Sequence, residues 1–312
     1  MFINDTEIEP GETKRINVNI SRLPSRSPID IAITVSRSMK PGPTVLLMGG
    51  LHGDEINGIE IVRRIIENEY NVPTAGTVIC IPIINIYGFI HTSRYVPDGK
   101  DVNRSFPGSK NGSLASRVAY YLMHDILPKL DFGIDFHTGG DDRTNFPQVR
   151  CMMDDPVNQE LARAFHAPFT INAPYRPKSL RQAAAKMGKH ILVYEGGESS
   201  RFDEFAIREG VNGTMRFLGH LGMTAHELEI PTLKNQVIAH SSWIRTKASG
   251  LFQSAVTSGQ KVSKNQVLGH ITDPFGEFKV PIKAPYGGFV IGLNNDPILH
   301  LGDAVVHLGA VK

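Results

Sequence analysis

Two side chains suited to a metal ion stand three residues apart in Gly49-Gly50-Leu51-His52-Gly53-Asp54-Glu55. The His52 imidazole and the Glu55 carboxylate are both ligands that zinc accepts. Such an H-x-x-E pair also occurs in polar loops that bind nothing, so its meaning depends on the rest of the chain. A catalytic zinc takes three protein ligands and keeps a fourth position open. His137, in Asp135-Phe136-His137-Thr138-Gly139-Gly140, is the candidate third ligand. His52, Glu55 and His137 would then make a His₂Glu set. Asp135 lies two residues before His137, on the same face of an extended strand, where its carboxylate could hydrogen-bond the ligating imidazole from behind. Taken alone, His137 would read as a strand-end histidine capping a loop.

A metal-bound water needs a partner for its proton. Glu195, in Leu192-Val193-Tyr194-Glu195-Gly196-Gly197-Glu198, ends a buried apolar run and precedes two glycines that let backbone approach closely. Its carboxylate could take a proton from zinc-activated water and pass it to a leaving amine. Glu198 lies beyond the strand and is the weaker candidate for that work. A third group comprises Arg94, Asn103 and Arg104, on a long polar stretch after another buried run. Long loops within compact domains are usually functional. Arginines there can clamp a carboxylate through two hydrogen bonds or polarise a carbonyl, and Asn103 can donate to a carboxylate or amide.

The elements that must position these side chains follow from periodicity. Residues 15–20 and 30–35 alternate and predict a hairpin or edge pair. Apolar runs at 43–48, 77–84, 132–136, 169–172 and 190–194 predict strands. Helical spacing predicts helices over 56–66, 114–127, 156–165, 179–187 and 202–218. This alternation predicts an α/β fold: a mixed, mostly parallel sheet with helices on both faces. The H-x-x-E turn, His137 and Glu195 then fall at strand ends, where open α/β sheets build their sites. After about residue 222 the pattern changes. Residues 224–236 are polar, and beyond 237 short strands are cut by turn sequences such as Ser258-Gly259-Gln260, Pro285-Tyr286-Gly287-Gly288 and Asn294-Asn295-Asp296-Pro297. That predicts a small all-β barrel or sandwich. The expected division is a hydrolase domain over 1–235, including the N-terminal β segment, and a β domain over 236–312.

Composition excludes several classes. A net charge of +2 with no Lys/Arg run argues against a nucleic-acid surface. No apolar run reaches the ~18 residues of a membrane span. The N-terminus lacks the basic and apolar regions of a secretory signal. Cys80 and Cys151 lie far apart, both in apolar runs, and predict buried unpaired thiols in a reducing compartment. The expected location is the cytoplasm.

The ordered motifs resemble the succinylglutamate desuccinylase/aspartoacylase family, related to zinc carboxypeptidases. They are Gly50-Leu51-His52-Gly53-Asp54-Glu55, Asn85 to Gly88, Arg94-Tyr95, Asp101-Val102-Asn103-Arg104-Ser105-Phe106-Pro107-Gly108, Asp135-Phe136-His137 and Glu195-Gly196-Gly197, spanning about residues 43–200. The resemblance implies one zinc on His52, Glu55 and His137, with Glu195 as general base and acid. It implies that Arg94, Asn103 and Arg104 contact substrate. Arg181 precedes Glu195 much as a substrate-binding arginine does in aspartoacylases, at a longer spacing. Val102 and Gly88 replace the usual Leu and Ala without touching chemistry.

The C-terminal segment resembles a lipoyl/biotinyl-like β domain. A carrier domain presents a lysine at an exposed hairpin tip, and here the tip reads Asp273-Pro274-Phe275-Gly276, with Lys279 only in the following strand. The segment is therefore expected to be structural, shaping the site mouth or a homo-oligomer contact. The expected activity is zinc-dependent hydrolysis of the amide bond in a small N-acylated amino acid that bears a carboxylate. A metallocarboxypeptidase or peptide amidase would use the same chemistry, and a non-catalytic ligand-binding module would have no need of Glu195.

Overall fold

The computed structural model describes residues 1–311. Strands β1 (Phe2–Ile3) and β2 (Thr6–Glu7) form a small ribbon, and β3 (Thr13–Arg22) and β4 (Pro28–Arg37) form the expected antiparallel hairpin. Alternating elements follow: β5 (Thr44–Met48), α1 (Ile56–Glu67), β6 (Thr77–Ile81), α2 (Ile86–Ile90), α3 (Leu114–Tyr121), β7 (Phe132–Gly139) and β8 (Arg143–Cys151). Then come α4 (Pro156–Phe165), β9 (Phe169–Asn172), α5 (Leu180–Lys186), β10 (His190–Glu198) and α6 (Glu204–His220). The rest is β structure: β11 (Gln236–Arg245), β12 (Gly250–Ser254), β13 (Lys261–Val262), β14 (Val267–Thr272), β15 (Lys279–Lys283), β16 (Gly288–Asn294), β17 (Ile298–Leu299) and β18 (Ala304–Val311).

One sheet runs β13-β16-β18-β11-β9-β8-β10-β7-β5-β6-β4-β3. The class is α/β, as expected, but parallel pairing is confined to two stretches, β6-β5-β7-β10 and β8-β9-β11. Every other ladder in this sheet is antiparallel. The sheet is thus mixed rather than mostly parallel, because β8 runs antiparallel to β10 at its centre and the N-terminal hairpin and C-terminal strands add antiparallel ladders at either end.

Strict alternation buries both faces of the centre. Leu46, Met48, Ile79 and Ile81 point into one core with residues of α3 and α5. Val45, Leu47, Val78 and Cys80 point into the opposite core with α1, α4 and α6. Cys80 and Cys151 are buried and unpaired. The helix predicted over 114–127 changes character midway: after α3 the chain makes a π-helical turn, Leu122–Ile126, and then a 3₁₀ turn containing Pro128.

The C-terminal segment is less separate than the division at 235 suggests. Strand β11 pairs with β9 on one side and β18 on the other, and β16 also pairs with β8. A four-stranded sheet, β15-β14-β12-β17, faces this end of the large sheet. Phe252, Leu268 and Ile271 from the smaller sheet share one apolar cluster with Val290, Val306 and Leu308 from the larger. The β14–β15 connection carries Asp273, whose carboxylate accepts from the backbone amides of Phe275, Gly276, Glu277 and Phe278. Lys279 opens β15, away from the tip. Among the described residues, no helix is long and apolar enough to cross a membrane.

Candidate functional site

Three neighbouring strands deliver the expected side chains to one edge. Strand β5 leads into the turn carrying His52 and Glu55, and Glu55 is the residue before α1. The turn lies against α2 so closely that a Cβ on Gly53 would sit 1.8 Å from the carbonyl carbon of Gly88, so only glycine fits there. His137 lies within β7, and Glu195 on β10 is its register partner on the adjacent strand. All of the expected site residues, His52, Glu55, Arg94, Asn103, Arg104, His137, Arg181 and Glu195, line one cavity of about 920 Å³.

His52, Glu55 and His137 are buried, and one donor atom from each lies within 4.8 Å of the others. Glu55 bridges the two rings: its Oε1 is 2.7 Å from His52 Nδ1 and its Oε2 is 2.7 Å from His137 Nδ1. The far nitrogens face carboxylates, with His52 Nε2 at 3.2 Å from Asp101 and His137 Nε2 at 2.8 Å from Asp135. A carboxylate only accepts, so it selects a proton on Nε2. Each neutral ring then aims an Nδ1 lone pair at the Glu55 carboxylate. Converging acceptors of this kind call for a cation between them, and two imidazoles plus one carboxylate suit zinc. Burial opposes charge on Glu55, but His52 and His137 outweigh it and hold the carboxyl well below the usual range. Burial likewise opposes the His137 imidazolium, and Asp135 and Glu55 outweigh it and raise the ring well above its usual value.

Arg94 completes this corner. Its Nε and Nη2 donate to Asp101 Oδ2 at 3.2 and 2.9 Å, while Nη1 reaches to 3.4 Å from Glu55 Oε1. Asp101 therefore holds both an imidazole and the guanidinium, a role the sequence reading did not assign although the residue stood in the quoted motif. If His52 ligates a metal ion, Asp101→Asn is expected to weaken binding of that ion by about 10–100-fold, the usual cost of losing the carboxylate behind a ligating histidine. Competition against a chelator measures this, and an unchanged affinity would remove Asp101 from the role.

Glu195 is gripped from β8. Arg150 Nη1 lies 2.9 Å from its Oε1, and Asn145 Nδ2 donates to its Oε2 at 2.5 Å. Neither partner was found in the sequence, because β8 was not read as a strand. Asn103 uses its side-chain oxygen to accept from the Leu180 amide at 2.9 Å, so part of its work is to anchor the start of α5. Arg104 is exposed and donates to the Asn103 carbonyl at 2.6 Å. Arg181 is buried, and its Nη2 donates to the carbonyls of Ala173 and Pro174 at 2.9 and 2.8 Å. Its Nη1 is buried with no partner among the described residues.

The C-terminal strands form one wall. Ser241, Trp243 and His307 line the cavity. The Trp243 and His307 rings stack with centroids 4.9 Å apart, and Arg143 lies 5.7 Å over the indole. His307 Nε2 is 3.1 Å from Ser241 Oγ. Burial, helped by the nearby Arg150 charge, pushes His307 down to about 3, so this wall carries a neutral imidazole. Turn signals alone could not reveal these residues.

Residues 41–221 match the succinylglutamate desuccinylase/aspartoacylase catalytic domain. The chain is 29% identical over 286 residues to N-alpha-acetyl-L-2,4-diaminobutyric acid deacetylase of Halomonas elongata, covering 86% of this chain and 83% of that protein. A succinylglutamate desuccinylase/aspartoacylase structure from Rhodobacter sphaeroides superposes with a TM-score of 0.85 at 25% identity, covering 98% of this chain and 99% of that one. A product-bound ectoine utilization protein from Ruegeria pomeroyi shares the fold, with a TM-score of 0.84 at 24% identity over 96% of this chain and 94% of its own. The match takes in the H-x-x-E turn, the Arg94–Arg104 loop, His137 and Glu195, and the shared fold extends through the C-terminal strands: this chain is an amide-hydrolysing enzyme of the succinylglutamate desuccinylase/aspartoacylase family.

Proposed function

We propose that this enzyme is a zinc-dependent deacylase that hydrolyses the amide bond of a small N-acylated amino acid, releasing a carboxylate and a free amine. The observation that carries the reading is the convergence of His52, Glu55 and His137 on one point of the cavity that Arg94 and Glu195 also line. Zinc bound there would supply an activated water and polarise the acyl carbonyl. The chain's own groups do the rest. Arg94, held on Asp101 by its Nε and Nη2, donates from Nη1 to the acyl oxygen as negative charge develops. Glu195 takes the proton from the attacking water and returns it to the departing nitrogen. Arg150 and Asn145 hold its carboxylate in place meanwhile.

Two further arginines support a carboxylate on the substrate. Arg181 Nη1 is a buried donor without a partner among the described residues, and Arg104 lines the same cavity. The diaminobutyrate deacetylase relative supports an N-acetylated amino acid. The wall of Ser241, Trp243 and His307 favours a small molecule over a peptide in an open groove, and Glu195 with its two partners favours catalysis over mere binding.

A panel of N-acyl amino acids, each as the free acid and as its carboxyl amide, tests the reading on the zinc-loaded enzyme. The free acids should be hydrolysed and the amides should be poor. Arg104→Lys should lower kcat/KM for the acids, because a point charge does not replace the planar fork. Equal turnover of acid and amide would remove the arginine clamp, and no turnover across the panel would remove the deacylase reading itself.

A further inference from the structure

The segment that aims Glu195 is irregular. Strand β10 loses register against β7 between Glu195 and Glu198, and against β8 between Glu195 and Gly197. A bulge at that point frees backbone groups that must find partners elsewhere. Asn57 supplies them. It is fully buried on α1, two residues after Glu55. Its Nδ2 donates to the carbonyls of Glu198 and Gly196 at 3.2 and 3.5 Å, and its Oδ1 accepts from the Asp203 amide at 3.0 Å. Among the described residues these are all of its side-chain hydrogen bonds, and all go to residues 196–203, just beyond Glu195. Gly197 adopts φ +79°, and a Cβ there would lie 2.4 Å from Asn57 Nδ2. The amide thus fills the gap that the bulge opens.

We propose that Asn57 is a positioning residue for catalysis: it fixes the bulge after Glu195 and so sets where that carboxylate points. The helix that follows Glu55 thereby ties the candidate metal-ligand turn to the proton carrier across the sheet. A misplacement of about 1 Å at such a group can cost about 10²-fold in rate. This inference rests on Glu195 being the proton carrier, and its test separates the two ideas.

The test is a double-mutant cycle on the zinc-loaded enzyme, using Asn57→Ala, Glu195→Gln and the pair, with kcat, KM and zinc content measured for each. Asn57→Ala should lower kcat by about 10–10²-fold, with KM and zinc content near those of the wild type. In the Glu195→Gln background it should cost almost nothing further, because the group it aims is already gone. Gly197→Ala pushes on the same contact from the other side and should give the same split between kcat and KM. It also keeps the proposal testable should Asn57→Ala fail to fold. Losses that multiply in the double variant would overturn the positioning role and leave a purely structural asparagine. So would wild-type kcat in Asn57→Ala, or a fall in zinc content that accounts for its lost activity. Wild-type turnover in Glu195→Gln would instead overturn the assignment of the proton carrier, and the inference with it.

Discussion

His137→Ala is expected to leave a folded protein with no bound zinc and a turnover reduced on the order of 10³-fold or more. The estimate follows from what a bound zinc contributes. Polarising a carbonyl and generating a nucleophile at neutral pH are worth several kcal/mol, and each 1.36 kcal/mol is about tenfold in rate. His137 is a buried ring whose Nδ1 faces Glu55 and whose Nε2 faces Asp135. Alanine removes one of three candidate ligands and strands the Asp135 carboxylate. His52→Ala should behave alike. Metal analysis of the purified proteins together with initial rates makes the measurement. Equal zinc in the wild type and both variants would show that the three residues do not form the metal centre.

Glu195→Gln should retain zinc and substrate binding while kcat falls at least ~10²-fold, the usual worth of general acid–base catalysis. The amide is nearly isosteric but keeps only one acceptor oxygen, so Arg150 can retain it if the Asn145 amide turns its own oxygen to the new NH2 group. The signature is therefore a loss in kcat with little change in KM. Wild-type turnover would move the role to another group. Glu198 would be the first alternative by sequence, although its carboxylate points to Arg201 at 3.9 Å and does not line the cavity.

The centre of the fold and the expected site residues were legible because they sit where two periodicities meet. Strands β5 and β6 are buried on both faces and read as continuous apolar runs, and the chemistry stands at the ends of such runs. Strand β8 was not legible. Its sequence, Arg-Thr-Asn-Phe-Pro-Gln-Val-Arg-Cys, is polar and carries Pro147, which argues against a central strand. Pro147 is tolerated because it falls where β8 changes partners. Residues 143–145 pair with β16, residues 148–151 pair with β9, and the ladder to β10 shifts register between them. No bond is asked of the missing amide. Asn145 and Arg150 were lost with the strand, and with them the grip on Glu195. Asp101 was visible in its motif, but its two-sided hold on His52 and Arg94 depends on how the loop folds back over the sheet. Asn57 resembles any polar residue on a helix until the bulge it fills is seen.

The continuous sheet also orders events during synthesis. Chains fold from the N-terminus as they emerge from the ribosome. The candidate metal ligands, Arg94 and Glu195 all lie before residue 200, so they can gather early. Strands β11 and β18, which bring Ser241, Trp243 and His307 to the cavity, leave the ribosome after all of these residues. Until β11 arrives β9 presents an unpaired edge, and until β18 follows the cavity lacks part of its wall. A nascent enzyme of this kind would hold its reactive centre before it could discriminate among substrates. Selectivity would arrive only when β18 closes against β11, which makes that late pairing the step that turns a reactive surface into a chosen reaction.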